Sequence, residues 1–492
     1  MKFLLGIDVG SSSVKCALIS IDSGECVASA YSPSSEMQIH APEKGFAEQD
    51  PETWWKELRN AMAILADECD FKKNDIAAIG ISYQMHGLVM VDKEGRSLRP
   101  SIIWCDSRAA EIGANAFQQM GQKHSLEHYL NSPGNLTASK LKWVKEHQPE
   151  IYGRIHKIML PGDYIAYRLT GEMRTTISGL SEGVMWDALN ESTASDLLKF
   201  YDIDERLICK TVDQFGEQGY LTEKAASDLG LSQSIPVCYR AGDQPNNAFS
   251  LNVLNPGEVA ATAGTSGVVY GVIDKPSYDP ASRVNTFVHV NHNIKQKRYG
   301  VLLCVNGTGI LNSWLQKNML NHLSYQEINA LASSISIGSD GLLCYPFGNG
   351  SERVLENKNP GAQLKNLHFN QHTNAHVARA AQEGIVFALY YGMEIMMQMG
   401  LSLTTIRAGK ANMFLSNVFS EAFSNTTGAT VELFNTDGAQ GAARAAGIGA
   451  GIFRNEKEAF SGLKILQKIE PQKNLQIQYQ EAYQNWKSNL GF

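Results

Sequence analysis

The sequence predicts a duplicated α/β protein, and three observations carry that expectation. First, the chain opens on an apolar run, Phe3-Leu4-Leu5-Gly6-Ile7. A polar tip from Asp8 to Ser13 and a second apolar run from Val14 to Ile19 follow, which reads as strand, turn, strand. Second, the same theme returns in the other half. There Val259-Ala260-Ala261-Thr262 and Val268-Val269-Tyr270-Gly271-Val272 bracket Ala263-Gly264-Thr265-Ser266-Gly267. Third, helix-period segments lie among these strands, the longest from Ala375 to Met399. One such hairpin per half predicts two related domains, 1–245 and 246–492. A chain of 492 residues has the length for two domains.

The remaining elements follow in chain order. Asp50-Pro51-Glu52-Thr53-Trp54-Trp55 is a helix start, with Asp50 able to cap, Pro51 at the first helical position and Glu52 complementing the dipole. Ile76 to Ser82 reads as a strand ending just before Tyr83-Gln84-Met85-His86-Gly87. Another apolar run, Ile235 to Tyr239, precedes Ala241-Gly242-Asp243-Gln244-Pro245. Ligand-contacting residues of an open α/β sheet gather at such strand ends. Near the C-terminus, the Gly/Ala-rich stretch from Gly438 to Gly447 predicts a tightly packed helix.

Composition narrows the class. With 43% hydrophobic and 19% charged residues, the chain can build cores and is not disordered. Lys+Arg 43 against Asp+Glu 50 leaves a net charge of −7, which disfavours nucleic acid as a partner. No apolar stretch approaches the ~20 residues of a membrane helix, and no signal peptide is evident. The eight cysteines contain no C-x-x-C pair, so neither a disulfide framework nor a zinc site is signalled. A cytoplasmic enzyme is expected, with monomer and homodimer both open.

Each candidate for chemistry has a plain alternative. A turn rich in Gly and Ser aims N–H groups and hydroxyls at phosphate oxygens, and an adjacent carboxylate such as Asp8 suits Mg²⁺. The same residues also make ordinary hairpins. Gly264-Thr265-Ser266-Gly267 has the same two readings. Neither tip has the G-x-x-x-x-G-K-[ST] form, which disfavours a P-loop enzyme. Asp243, at a strand end beside Gly242 and Gln244, is placed either to accept a hydroxyl proton or to cap a turn into a helix. His86 is a ligand-contacting or a packed histidine. Trp104-Cys105-Asp106-Ser107-Arg108 either walls a polar pocket or forms an edge with a structural Asp–Arg pair. Should Asp243 not serve as a base, Asp106 is the next carboxylate to consider.

Taken together, these segments resemble the FGGY carbohydrate kinases, and within them the branch acting on xylulose. The resemblance runs nearly end to end. It rests on Gly6-Ile7-Asp8-Val9-Gly10-Ser11-Ser12-Ser13-Val14-Lys15, Glu48-Gln49-Asp50-Pro51-Glu52-Thr53-Trp54-Trp55, Gln84-Met85-His86-Gly87 and Trp104-Cys105-Asp106-Ser107-Arg108. Gly242-Asp243-Gln244, Gly264-Thr265-Ser266-Gly267 and Gly438-Ala439-Gln440-Gly441-Ala442 complete it. The resemblance implies two ribonuclease-H-like domains of the actin/hexokinase-like ATPase type flanking a catalytic cleft. It implies ATP-dependent phosphorylation of a sugar hydroxyl, D-xylulose to its 5-phosphate, with ATP and Mg²⁺ required and sugar and ATP as the small-molecule partners. The N-terminal domain would bind sugar and the C-terminal domain nucleotide.

By the same resemblance Asp243 is the catalytic base and Asp8 the metal organiser. Met85, His86, Trp104 and Gln244 are expected at the sugar. Ser11, Ser12, Lys15, Gly264, Thr265 and Ser266 are expected at the phosphates, with Gly309, Ser313, Gly409 and Asn412 at the nucleotide. The chain departs from the family pattern in four places. Arg407 to Asn412 stands for a glycine-rich adenosine segment, and Ser351-Glu352-Arg353-Val354-Leu355 for Gly-Glu-Arg-Thr-Pro. Thr175-Thr176-Ile177-Ser178 lacks the usual Asp, and Gln244 stands where the xylulose branch commonly has Asn. A kinase for ribulose, a deoxyketose, gluconate or glycerol is the competing reading. An actin-like ATPase or a sugar-responsive binding protein without transfer is a further one.

Overall fold

The computed structural model describes residues 2–491, which divide into two compact units. The first holds the residues up to Asn252 together with Phe287–Tyr299 and Thr436–Leu463. The second holds Val253–Thr286, Gly300–Asn435 and the residues from Lys464 onward.

The first unit is organised by a five-stranded sheet of β1 (Phe3–Val9), β2 (Val14–Ser20), β3 (Cys26–Ser32), β4 (Ile76–Tyr83) and β5 (Val237–Gly242). The spatial order is β5-β4-β1-β2-β3, with β1, β2 and β3 antiparallel and β1, β4 and β5 parallel. Strands β1, β4 and β5 are apolar almost throughout and buried, as expected of parallel strands covered on both faces. The helix Pro51–Glu68 lies against β2 and β3. It starts as the sequence predicts: the Asp50 carboxylate accepts the Glu52 N–H at 3.0 Å, Pro51 is the first helical residue, and Trp54 and Trp55 are buried. The opposite face is covered by the helix Gly438–Gly449, from the far end of the chain.

That last contact needs glycine. A Cβ on Gly6 would strike the carbonyl of Ala439, and one on Gly80 that of Ala442. Helix backbone and strand backbone touch directly, which explains the Gly/Ala composition of this helix. It also draws a late segment of the chain into the first unit. The chain leaves the first unit after Asn252, close to the expected boundary at 245, but later segments return to it. The return of Thr436–Leu463 is enforced by this small-residue packing, which a single cut in sequence cannot represent.

The second unit repeats the plan. Strands β6 (Val259–Ala263), β7 (Gly267–Ile273), β8 (Tyr299–Val305), β9 (Thr405–Gly409) and β10 (Thr430–Phe434) run β8-β7-β6-β9-β10 within a seven-stranded sheet. Strands β6 and β7 form the second hairpin, and β9 and β10 run parallel to β6. Thus β6, β7, β9 and β10 take the places of β1, β2, β4 and β5. The helix Asn374–Gln398 begins one residue before the predicted segment and buries Ala380, Ala381, Ile385, Ala388 and Leu389. Among the described residues, no helix is long and apolar enough to cross a membrane.

Candidate active site

Register assembles the first unit's polar residues. Asp8 of β1 stands beside Ser82 of β4, which stands beside Ala241 of β5; Val9, Tyr83 and Gly242 then end the three strands in line. The segments that follow leave from one end of the sheet. They are the tip Gly10–Ser13, the segment Gln84–Gly87, and Asp243, which opens the helix Asp243–Ser250. The tip is closed by the Gly10 N–H donating to the Ser13 carbonyl at 3.0 Å.

Asp8 is half-buried, and burial pushes its carboxyl above the usual range. The Ser82 hydroxyl and Lys15 oppose that shift, while the Asp437 carboxylate adds to it. Lys15, opposite Asp8 across the hairpin, is paired with Asp437 at 3.3 Å. Asp437 in turn caps the helix Gly438–Gly449 through the Gln440 N–H at 3.0 Å. The expected phosphate lysine is therefore engaged by an acid that the sequence reasoning missed. Asp8 and the neighbouring Asp437 supply hard carboxylate oxygens, the donor type that Mg²⁺ takes.

Asp243 is a strongly perturbed carboxyl. Burial, followed by the Asp8 charge, pushes its carboxyl up to about 7; hydrogen bonds from the Gln244 backbone and side chain pull the other way. A carboxylate poised near neutrality, oriented by the adjacent amide, is suited to general-base work. A helix also starts at this residue, the alternative feature at that place in the sequence.

Met85 and His86 differ in exposure. Met85 is 4% exposed and packs on Gly242, where a Cβ would come within 2.5 Å of its Cγ. His86 is half-buried and holds a left-handed backbone, φ 60°. Its N–H donates to the Glu182 carboxylate at 3.2 Å and its carbonyl accepts from Lys140 Nζ at 2.9 Å. Glu182, which the sequence reasoning did not single out, is the last residue of the helix Ile177–Glu182. That helix starts in the segment noted for its missing Asp, where Thr176 supplies the cap by accepting the Gly179 N–H at 3.1 Å.

Trp104 is 48% exposed, and its indole N–H donates to Ser11 Oγ at 3.2 Å, joining an expected sugar residue to an expected phosphate residue. Ser12 is exposed beside it in sequence, its carbonyl accepting the Met37 N–H at 2.8 Å. Asp106 is fully buried and saturated by the Ala47 N–H at 2.6 Å and by the Arg108 backbone and guanidinium. It is a structural anchor and is sealed from substrate, which removes it as an alternative base.

The second unit gathers its own set. The Gly264 carbonyl accepts the Gly309 N–H at 2.8 Å, and the Thr265 carbonyl accepts the Ile310 N–H at 3.1 Å. The hairpin tip and the start of the helix Gly309–Asn318 are thereby joined, with Ser313 one turn further on. Asn412 reaches the same tip, its amide nitrogen 3.5 Å from where a Gly264 Cβ would stand. Ser266 is half-buried next to Gly267, on which a Cβ would come within 2.5 Å of Thr308 Oγ1. Gly409 ends β9. Arg407, in the segment departing from the family pattern, faces Glu432 of β10 at 3.4 Å and Glu258, just before β6, at 3.6 Å. Glu352, also overlooked, accepts the Asn306 N–H at 3.1 Å and so fixes the loop that leads into the helix; burial pushes its carboxyl up to about 7.

Comparison with known proteins identifies the family. The family described as "FGGY family of carbohydrate kinases, N-terminal domain" matches residues 3–250, and the C-terminal domain of the same family matches residues 259–450. The xylulose kinase of Escherichia coli (strain K12) is 31% identical over 91% of this chain and 90% of its own. A crystal structure of a xyloylose kinase from Brucella ovis superposes with a TM-score of 0.88, at 25% identity over 99% of this chain and 98% of that one. A gluconate kinase from Lactobacillus acidophilus shares the fold with a TM-score of 0.89, at 22% identity over 99% of this chain and 97% of that one. With both family domains matched over most of its length, the chain belongs to the FGGY family of carbohydrate kinases and is an ATP-dependent sugar kinase.

Proposed function

We propose that this kinase transfers the γ-phosphoryl group of ATP to O5 of D-xylulose, with Asp243 as the general base. The observation that carries the reading is the Asp243 carboxyl, poised at about 7 and hydrogen-bonded by Gln244 at the end of β5. Phosphoryl transfer asks a protein mainly for positioning and charge stabilisation. Asp243 takes the proton of the sugar hydroxyl as that oxygen bonds to phosphorus, and the bridging oxygen leaves with ADP. The raised proton affinity makes Asp243 a better acceptor than an ordinary carboxylate while leaving a sizeable ionised fraction near neutrality.

His86 and Trp104 contact the sugar, with Met85 behind them. The two tips, Ser11 and Ser12 in one unit and Gly264, Thr265 and Ser266 in the other, are assigned to phosphates. Gly309, Ser313, Gly409 and Asn412 are assigned to the nucleotide. Asp8 and Asp437 would hold Mg²⁺, which when bound neutralises phosphate charge. D-xylulose is favoured over other acceptors because the E. coli relative at 31% identity is a xylulose kinase. A cytoplasmic setting fits the eight free cysteines.

An ADP-release screen across ketoses, aldoses, polyols and sugar acids tests the assignment. The highest kcat/KM is expected for D-xylulose. A large preference for gluconate or glycerol overturns the sugar while leaving the kinase intact.

A further inference from the structure

Within the second unit, the loop between β8 and the helix Gly309–Asn318 is held from several sides. Asn306 donates its backbone N–H to both oxygens of Glu352, each at 3.1 Å, and the Gly307 N–H is a second backbone donor to the same carboxyl. The Asn306 side-chain amide donates to the Ser351 carbonyl at 3.0 Å. Gly307 rests so tightly on the Pro346 carbonyl that a Cβ would overlap it. Thr308 is fully buried and turns its hydroxyl back to the Val305 carbonyl at 3.1 Å, so it makes no capping bond to the helix. The first two helical N–H groups, of Gly309 and Ile310, go instead to the Gly264 and Thr265 carbonyls of the hairpin tip.

That last pair of bonds bears on phosphate recognition. In a planar trans peptide the C=O and the following N–H point in opposite directions. Holding the Gly264 and Thr265 carbonyls against the helix therefore aims the Thr265 and Ser266 N–H groups away from it. These N–H groups belong to the tip assigned to phosphates.

Resting on the kinase reading above, we propose that Glu352 is a positioning residue for ATP: through the Asn306–Gly307 loop it fixes where the helix Gly309–Asn318 meets the tip, and so sets the direction of the tip's phosphate donors. It acts through backbone alone and needs no contact with the nucleotide.

Glu352 is built for such a task. It is fully buried, and its own backbone is bonded on both sides, the N–H to the Lys358 carbonyl at 2.9 Å and the carbonyl from the Leu355 and Asn357 N–H groups at 3.0 and 2.9 Å. Among the described residues no cation offsets its charge. Burial pushes its carboxyl up to about 7, and the Asn306 and Gly307 N–H groups pull the other way. Burying a carboxyl without a cation is costly, and here the backbone of one loop is what it holds. In either protonation state an oxygen remains to accept the Asn306 N–H.

The test compares Glu352→Gln, which keeps an acceptor oxygen, with Glu352→Met, which fills the space without one. Calorimetry with Mg²⁺ and ADP, in the absence of sugar, should give E352Q a Kd within about threefold of wild type. For E352M the Kd for ADP and the KM for ATP should each rise about tenfold or more, while the sugar KM moves less than about twofold. Unchanged ADP affinity in E352M, a parallel rise in its sugar KM, or an E352Q as impaired as E352M overturns the proposal. Hydrogen exchange at single amides reads the clamp without activity. The Asn306 and Gly307 amides should be protected in wild type and E352Q. Fast exchange at Asn306 in wild type overturns the proposal even if E352M does not fold. Should wild type bind ADP but phosphorylate no sugar, the kinase assignment falls, and ADP affinity and exchange still decide the role of Glu352.

Discussion

The carboxylate of Asp8 rests against the Cα of Gly438, so closely that a Cβ there would stand 2.5 Å from Oδ2. Strand β1 and the helix Gly438–Gly449 meet at this point, and the Lys15–Asp437 pair closes over the same junction. Gly438→Ala should therefore push the Asp8 carboxylate out of place, because backbone and carboxylate have no slack for a methyl group. The expected result is a fall in kcat, with the sugar KM moving less. Asp8→Asn should lower turnover further while leaving the melting temperature near wild type. Its loss should be partly relieved by raising Mg²⁺ or substituting Mn²⁺. A wild-type rate for Asp8→Asn at low Mg²⁺ would reduce the hairpin to a structural feature.

The pH profile carries a second prediction. Asp243 must be ionised to accept a proton, so kcat/KM should fall as pH drops through about 7, the value to which burial and Asp8 raise it. Removing the Asp8 charge should move that limb to lower pH, measured on the residual activity of Asp8→Asn. Stability runs the other way. Between the ordinary carboxyl range and about 7, native Asp243 holds a proton that the unfolded chain has released. Stability from this group is therefore highest at acid pH and is lost as pH rises through about 7. Asp243→Asn should raise the melting temperature at pH 8 more than at pH 5.

A third prediction concerns the nucleotide side. A Cβ on Gly309 would collide with the Gly264 carbonyl that its own N–H bonds at 2.8 Å. Gly309→Ala should separate the helix Gly309–Asn318 from the hairpin tip and raise the KM for ATP several-fold. The KM for sugar should change little. Parallel changes in both would mean that the substitution had unsettled the whole unit.

The fourth separates anchor from base. The Arg108 side chain is 1% exposed, bound to Asp106 and Glu48, and stacked over Phe46 at 3.7 Å. Asp106→Asn should destabilise by roughly 3–5 kcal/mol, the usual result of breaking a buried pair on one side. Chemical denaturation measures this directly. The acid limb of the pH–rate profile should stay where Asp243 puts it.

Much of this was legible in the sequence for identifiable reasons. The hairpins announced themselves because β1, β2, β6 and β7 are apolar runs around tips of small polar residues. The start at Asp50 was written in its own cap. Asp8 and Asp243 stand out in the sequence because each lies near a strand end within two residues of a glycine. What escaped was long-range. Glu182 meets His86 across 96 residues of chain, and no local pattern marks such a contact. Asp437 lies in an ordinary helix-cap position, and its pairing with Lys15 depends on a helix returning from the far end of the chain. Arg407 read as an intruder because its two acidic partners, Glu258 and Glu432, come from separate segments of the chain. Met85 was expected at the sugar beside His86, but its side chain turns to Gly242 and is buried there.

The base assignment is tested most directly by Asp243→Ala, measured for both transfer and binding. A sugar hydroxyl is a poor nucleophile at neutral pH, and general-base assistance is worth ~10² to 10⁴-fold. The account predicts that sugar-dependent ADP release falls by roughly that factor. Calorimetric affinities for sugar and ATP should stay within several-fold of wild type. Near-normal turnover with collapsed sugar affinity would contradict it and make Asp243 a binding residue.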